Sequence, residues 1–374
     1  MKNEDLVIEM KNITKIFGTF KANNNINLKI KKCEIHAILG ENGAGKSTLM
    51  NILYGELQPS SGDIYIRGKK KVIHSPKIAI NLKIGMVYQH FKLIPEFSVL
   101  DNIILGFENV KFGLLDRKEA KKKIVSFIQR YHFDIDLDSK IKNLSIGMQQ
   151  KIEILKILYR DAKLLIFDEP TAVLTPQEII NFLNMLKKLK EEGKTIIIIT
   201  HKLKEIRAIA DKCTIIRKGE FIDTFDMENI KDDELAYKMI GKKINLNPSN
   251  KKIELKETTE ILKVKNLSTR NHKGITSLNN LSFTLNKGEI FSIVGIEGNG
   301  QSELVNVLNG LYKLDIGKIY LKGKNITKNN TRQNIKDGIS YIPEDRHKRG
   351  LILDYTIYLN MILRDYYKKQ YHNN

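Results

Sequence analysis

Residues 40–48 read Gly40, Glu41, Asn42, Gly43, Ala44, Gly45, Lys46, Ser47 and Thr48, the spacing G-x-x-x-x-G-K-[ST]. Its glycines let main-chain N–H groups curl around an anion, and a helix opening there adds a favourable dipole. Lys46 is placed to neutralise β- and γ-phosphates, and the Ser47 hydroxyl to ligate Mg²⁺. Two carboxylates, Asp168 and Glu169, end the run LLIFDEP. Asp168 suits a Mg²⁺ ligand, directly or through water, and Glu169 suits a general base that polarises a water. His201, just after four consecutive isoleucines, can bring a ring N–H to a γ-phosphate. Together these groups suit attack of water on a triphosphate.

Such groups work only if elements converge on them. An apolar strand (Ile35–Leu39) precedes the glycine loop and a helix over 46–55 follows it. Apolar runs at 164–167 and 195–200 predict two more buried strands, ending at the acid pair and at His201. Between them, 117–131 and 148–159 have helical apolar spacing. Strands and helices in this order imply an α/β fold, a mainly parallel sheet covered by helices.

The chain also repeats itself. Gly40 in HAILGENGAGKS aligns with Gly295 in FSIVGIEGNGQS, and the same offset of 255 pairs Glu34 with Glu289 and Gly55 with Gly310. It continues through Gly62 with Gly317, Gly68 with Gly323 and Gln89 with Glu344. Residues 1–241 form the first copy and 261–374 a partial second one. The polar stretch 242–260, with Pro248 and no apolar period, is expected to be a linker.

Composition narrows the class. At 374 residues and 41% hydrophobic, the chain can bury more than one ordinary core. Two distant cysteines, Cys33 and Cys213, exclude a disulfide framework or a cysteine zinc site and fit a reducing compartment. No apolar run approaches the roughly 20 residues that span a bilayer, so a soluble or peripheral protein is expected. The net charge of +20 comes mostly from dispersed lysines beside abundant Asn and Ile. That is the pattern of an AT-rich genome, and nucleic acid is not an expected partner.

Further motifs identify a family. Leu144, Ser145, Ile146, Gly147, Met148 and Gln149 resemble the signature of ABC transporter ATPases, and Gln89 in MVYQHF resembles their Q-loop. Phe17 lies where those ATPases stack an aromatic ring on adenine. The stretches VYQHFKLIPEFSVLDNIILG, LSIGMQQKIEILKILYR and DEPTAVLTPQE resemble most closely the importers of nucleosides, with ribose or galactose importers next. The resemblance implies a P-loop ABC-type ATPase domain, with a parallel-sheet core and a helical subdomain, followed by an incomplete second copy. It implies ATP and Mg²⁺ as cofactors, with Gln89 joining Ser47 and Asp168 at the metal and Lys46, Glu169 and His201 in catalysis. It also implies integral-membrane permease subunits as partners, a substrate-binding lipoprotein indirectly, and a peripheral place on the cytoplasmic face of the membrane. In the implied head-to-tail dimer of ATPase domains, Ser145 and Gly147 cap the γ-phosphate of the opposite site. The sequence departs from LSGGQ at Ile146 and Met148, and Thr175 stands where most relatives have Asp. Residues 91–106 should open the helical subdomain, whose groove receives a coupling helix from the permease. Phe91, Leu93, Ile94, Phe97, Val99 and Leu100 are either groove or core.

The second glycine loop carries Gly295, Gly298, Gly300, Gln301 and Ser302, so glutamine replaces the lysine. Losing a charge-assisted phosphate contact weakens a site by about 1.5–3 kcal/mol, and Glu344 adds a like charge. A weak, slow second site is expected. The second copy stops before a second signature, acid pair and histidine. Two other readings stand beside the importer subunit: a truncated remnant that binds ATP without transport, which the early stop suggests, and a soluble ABC protein acting on ribosomes or nucleic acid, which the net charge of +20 would favour.

Overall fold

The computed structural model describes residues 5–89, 91–108, 110–111, 114–172, 174–242, 259–270, 274–295, 298–343 and 349–371. Its contacts divide the chain into two units, Met1–Ser249 and Asn250–Asn374.

The first unit opens with an antiparallel hairpin, β1 (Leu6–Phe17) and β2 (Phe20–Lys31). In β2 the buried Ile26, Leu28 and Ile30 alternate with exposed Asn27, Lys29 and Lys31, the period of a half-buried strand. β3 (Ile35–Leu39) buries every residue and leads through the glycine loop into α1 (Lys46–Tyr54). β4 (Ser61–Ile66) and β5 (Lys69–Lys71) extend the antiparallel edge, where three exposed lysines discourage further strand pairing. α2 (Pro76–Asn81) and β6 (Ile84–Val87) follow.

A mainly helical insertion comes next: α3 (Val99–Ile104), the short ribbon β7 (Val110–Lys111) and β8 (Leu114–Leu115), α4 (Arg117–Tyr131) and α5 (Ile146–Tyr159). It has its own core, in which Val99, Leu100 and Ile103 meet Ile124, Ile152 and Leu155. The chain then re-enters the sheet through β9 (Leu164–Asp168), α6 (Pro176–Glu191) and β10 (Thr195–Ile199). It closes the unit with α7 (Leu203–Ile209), β11 (Lys212–Arg217), β12 (Glu220–Asp226) and α8 (Asp232–Ile240).

The strand order is β5-β4-β1-β2-β12-β11-β3-β10-β9-β6, with β11, β3, β10, β9 and β6 mutually parallel. Consecutive side chains of these strands enter opposite cores. Ile196 and Ile198 pack with Phe167 and Leu186, while Ile197 and Ile199 pack with Ile166, Leu49 and Leu53. Strands covered on both faces read as continuous apolar runs, which is why the isoleucine run forms β10. Each such side chain contributes about 1.5–3 kcal/mol by burial.

The second unit holds β13 (Glu260–Arg270), β14 (Thr276–Asn286), α9 (Gln301–Leu308), β15 (Ile316–Leu321) and β16 (Lys324–Asn325). Two short helices follow, α10 (Thr331–Asp337) and α11 (Ile357–Ile362). Its sheet, β14-β13-β15-β16, is antiparallel and covers a small core of Val264, Leu267, Leu278, Leu304, Val307, Ile319 and Ile326. The repeat is visible in its packing. A Cβ on Gly45 would meet Ala22 O at 2.3 Å, and one on Gly300 would meet Ser277 O at 2.4 Å. One element differs. Residues 290–294, the counterparts of β3, form no strand, and Ile290 and Val294 are 94% and 93% exposed. In the first unit β3 is bonded between β10 and β11, and no described strand flanks 290–294.

Candidate active site

Four neighbouring parallel strands bring the chemistry together. At their carboxyl ends, β3 presents the glycine loop, β10 leads to His201, β9 ends in Asp168 and Glu169, and β6 leads to Gln89. Ile199 is in register with both Ile38 and Asp168. The carboxyl ends of parallel strands are where open α/β sheets bind ligands.

The glycine loop is shaped by close approaches. A Cβ at Gly40 would lie 2.1 Å from Ile216 O, and Gly45, at φ 95°, caps α1 in the left-handed region. Asn23, fully buried in β2, donates from Nδ2 to Gly45 O at 3.0 Å and ties the loop to the hairpin. Lys46 is 5% exposed and folds back along the loop, donating from Nζ to Gly40 O and Glu41 O, both at 2.8 Å. Burial pushes its ammonium below the ordinary lysine range, against the pull of Glu169 and Asp168. Ala44 is buried, while Glu41, Asn42, Gly43 and Ser47 are exposed and Thr48 is half-buried.

Asp168 is buried, and that burial raises its carboxyl above the usual range, although a hydrogen bond with Ser47 works the other way. Its Oδ1 has no hydrogen-bond partner. Glu169 turns out of β9 with φ 46°, a strained region for a side-chain-bearing residue. Its N–H bonds Ile199 O at 2.9 Å, which anchors the turn to β10. Gln89 Nε2 lies 3.5 Å from Glu169 Oε2, and His201 Nδ1 lies 3.3 Å from Oε1.

Phe17 ends β1, 46% exposed, with Lys15 Nζ 5.1 Å from its ring centroid. Phe20, across the same hairpin, is 61% exposed. The signature residues lie at the start of α5 in the helical insertion. Ser145 is the helix N-cap and accepts from Met148 N–H at 3.4 Å; Gln149 Nε2 donates to Leu144 O. Helix α5 begins at Ile146, two residues before the apolar period predicts, because Ser145 caps it there. Of the residues at 91–100, Val99 and Leu100 are core, Phe97 is exposed, and Phe91, Leu93 and Ile94 are half-buried. Thr175 caps α6 in a reciprocal box with Glu178.

In the second unit Gly298 and Gly300 have φ 90° and 97°, and Gly300 caps α9 as Gly45 caps α1. A Cβ on Gly295 would lie 2.1 Å from Gln301 Nε2, so the glutamine folds back on its loop. Ser302 is exposed. Glu344 lies outside the described residues.

Two supports escaped sequence reasoning. Asn23 is one of three consecutive asparagines and carries no local signal. The turn after Glu169 is tied to α7: Thr171 Oγ1 donates to Glu205 Oε2 at 2.6 Å, and Lys202 Nζ donates to Thr171 O at 2.9 Å. The spacing of Lys202 and Glu205 suggests only their own pairing, 3.2 Å in the structure, and no local pattern points to Thr171.

A glycine cradle, a buried lysine and a carboxylate pair on adjacent parallel strands define a P-loop nucleoside triphosphatase. Comparison with known proteins narrows this. The ABC transporter family pattern matches residues 23–172 and 278–371. The chain is 48% identical over 368 residues to the nucleoside import ATP-binding protein NupA of Lactococcus lactis subsp. cremoris (strain MG1363), covering 98% of this chain and 72% of that protein. It is 50% identical over 367 residues to the guanosine import ATP-binding protein NupO of Bacillus subtilis (strain 168), with the same coverage. Among solved structures, the dimeric post-hydrolysis state of the ATP-binding cassette MJ0796, bound to ADP and Pi, superposes with a TM-score of 0.52 at 27% identity, covering 60% of this chain and all of that one. The chain belongs to the ABC transporter family, as an ATP-binding ATPase with the cassette fold.

Proposed function

We propose that this chain is the ATP-hydrolysing subunit of an importer of nucleosides or simple sugars. The observation that carries the reading is the gathering of Lys46, Asp168, Glu169, His201 and Gln89 at the ends of four adjacent strands, in a chain about half identical to two import ATP-binding proteins. We further assign residues 1–241 as the complete ATPase domain, 242–260 as the linker and 261–374 as a partial second copy.

In this reading the main-chain N–H groups of 40–48 cradle the triphosphate and Phe17 stacks on adenine. Lys46 gives up its carbonyl contacts for the β- and γ-phosphates. Its burial already weakens its hold on the proton, and an anion restores it. Glu169 takes the proton of the attacking water. Gln89 and His201 orient its carboxylate, and His201 keeps its second ring nitrogen for the γ-phosphate. The fixed, strained turn at Glu169 reduces the reorganisation the base needs.

The residues fit a magnesium ion. Asp168 Oδ1 is a buried oxygen without a hydrogen-bond partner, and the nearby Ser47 hydroxyl favours the ionised form of the same carboxylate. One carboxylate with phosphate oxygens is the donor set Mg²⁺ usually takes. Ser47, Asp168 and Gln89 would hold it. When bound, it supplies neutralisation of the charge on the phosphate oxygens.

Ser145 and Gly147, at a helix N-terminus, suit capping the γ-phosphate of a second ATPase domain. A head-to-tail dimer would use them so, and MJ0796 is dimeric in the matched structure. Permease subunits are the partners of this reading, with Phe97 and its half-buried neighbours as the docking groove and the cytoplasmic membrane face as the location. No described helix is long and apolar enough to cross a membrane.

Steady-state ATPase assays test the assignment. Lys46→Ala should lower turnover at least tenfold and Glu169→Gln by about 10²–10⁴-fold. Turnover unchanged in both variants would remove these residues from the reaction.

A further inference from the structure

Away from the glycine loop, the first unit contains a cavity of about 390 Å³ between the C-terminus of α4, the first turns of α5, and α6. That volume lies within the ~300–1,000 Å³ range of small-molecule sites. Ile154, Leu174, Phe182 and Met185 supply an apolar floor, beside the rings of Tyr131 and Phe133. Among the cations that line it, Arg130 is paired with Glu192 at 2.8 Å and Lys188 Nζ donates to Arg130 O at 2.6 Å, so Lys151 is left to meet an anion, against a single lining carboxylate, Glu178. That carboxylate is already engaged, because its Oε2 accepts from Thr175 N at 2.9 Å and Thr175 Oγ1 at 2.8 Å.

One lining residue points to an occupant. Gln150 is 2% exposed and its Nε2 donates to Pro170 O at 2.6 Å, but its Oε1 is buried with no hydrogen-bond partner. A buried amide oxygen without a donor is unfavourable by about 1–3 kcal/mol. A ligand N–H or O–H would remove that penalty, while rings filled the apolar floor and an anionic group met Lys151.

We propose that the cavity lined by Gln150, Lys151, Phe182 and Met185 is a second ligand site, selective for aromatic monoanions that carry an N–H or O–H donor. Its occupant would lie against Gly147 and Glu178, at the root of the signature helix. A Cβ on Gly147 would meet Glu178 Oε1 at 2.6 Å, so these groups already touch.

The test uses the full chain and 8-anilino-1-naphthalenesulfonate, which combines rings, one N–H and one sulfonate. Fluorescence titration should give a saturable component that Met185→Trp, filling the cavity, weakens at least tenfold. Lys151→Glu, a milder change at a half-exposed position, should weaken it at least threefold. Exposed apolar groups elsewhere, Ile290 and Val294 among them, give a background common to all three proteins. Circular dichroism identifies a variant that has failed to fold, and Lys151→Glu then decides. A parent protein with no saturable component, or one that folded variants leave unchanged, overturns the proposal.

Discussion

At the residue scale, Asp168 shows chemistry working against stability. Burial holds its carboxyl above the ordinary value of 3.8, so its ionised form is disfavoured in the fold. Its contribution to stability is present below the unfolded pKa and is lost as pH rises through the raised folded value. Asp168→Asn should therefore raise the melting temperature of the nucleotide-free protein, most clearly at neutral pH, while Mg²⁺-dependent ATPase falls by orders of magnitude. Calorimetry beside the ATPase assay checks both halves. A variant less stable than the parent at neutral pH would contradict the electrostatic account. Glu169 adds strain to the same corner, and its φ of 46° is maintained by the bond to Ile199 O.

At the element scale, an ion pair with a buried carboxylate and a half-buried ammonium fixes the segment after β6 to α5. Glu153, on α5, accepts from Lys92 N–H at 2.9 Å and lies 3.6 Å from Lys156, whose Nζ donates to Lys92 O at 3.1 Å. Burial lowers the Lys156 ammonium and Glu153 opposes that shift. Removing one partner leaves a buried charge, a loss of about 3–5 kcal/mol, whereas removing both is much milder. Glu153→Leu should therefore destabilise by about 3–5 kcal/mol, and adding Lys156→Met should recover much of it. Urea unfolding measures the cycle, and additive losses would mean the two side chains are not coupled. The box at Thr175 is a smaller device. Thr175→Ala should cost about 1 kcal/mol, because this residue caps α6 whatever role its counterpart plays elsewhere.

At the scale of the whole molecule, two glycine loops differ in one cation. Both helices start from a left-handed glycine packed against a hairpin carbonyl, at Ala22 and Ser277. The first loop offers Lys46 and the second Gln301. Residual ATP uptake by the Lys46→Ala protein should be at least tenfold weaker than that of the parent. Gln301→Lys, added to that variant, should strengthen it by about 1.5–3 kcal/mol. Fluorescent-nucleotide titration reads both steps. No gain from the added lysine would show that the second loop does not grip phosphate.

Much of this architecture was legible before any coordinates. Helix α4 occupies the whole of 117–131 and β3 the whole of Ile35–Leu39, because apolar period and glycine punctuation act locally. The glycine loop, the acid pair and the 255-residue repeat were equally plain, since each depends on residue type and spacing alone. Tertiary structure decided the rest. It buried Val99 and Leu100 but exposed Phe97, assigned Thr175 to a helix cap, and left 290–294 without flanking strands. It also set Asn23 under the glycine loop and opened the cavity at Gln150. Burial and hydrogen-bond completion are properties of neighbours brought together from distant parts of the chain. A local pattern can name the groups that do chemistry, but only the packed sheet determines which of them meet and which polar atoms are left without partners.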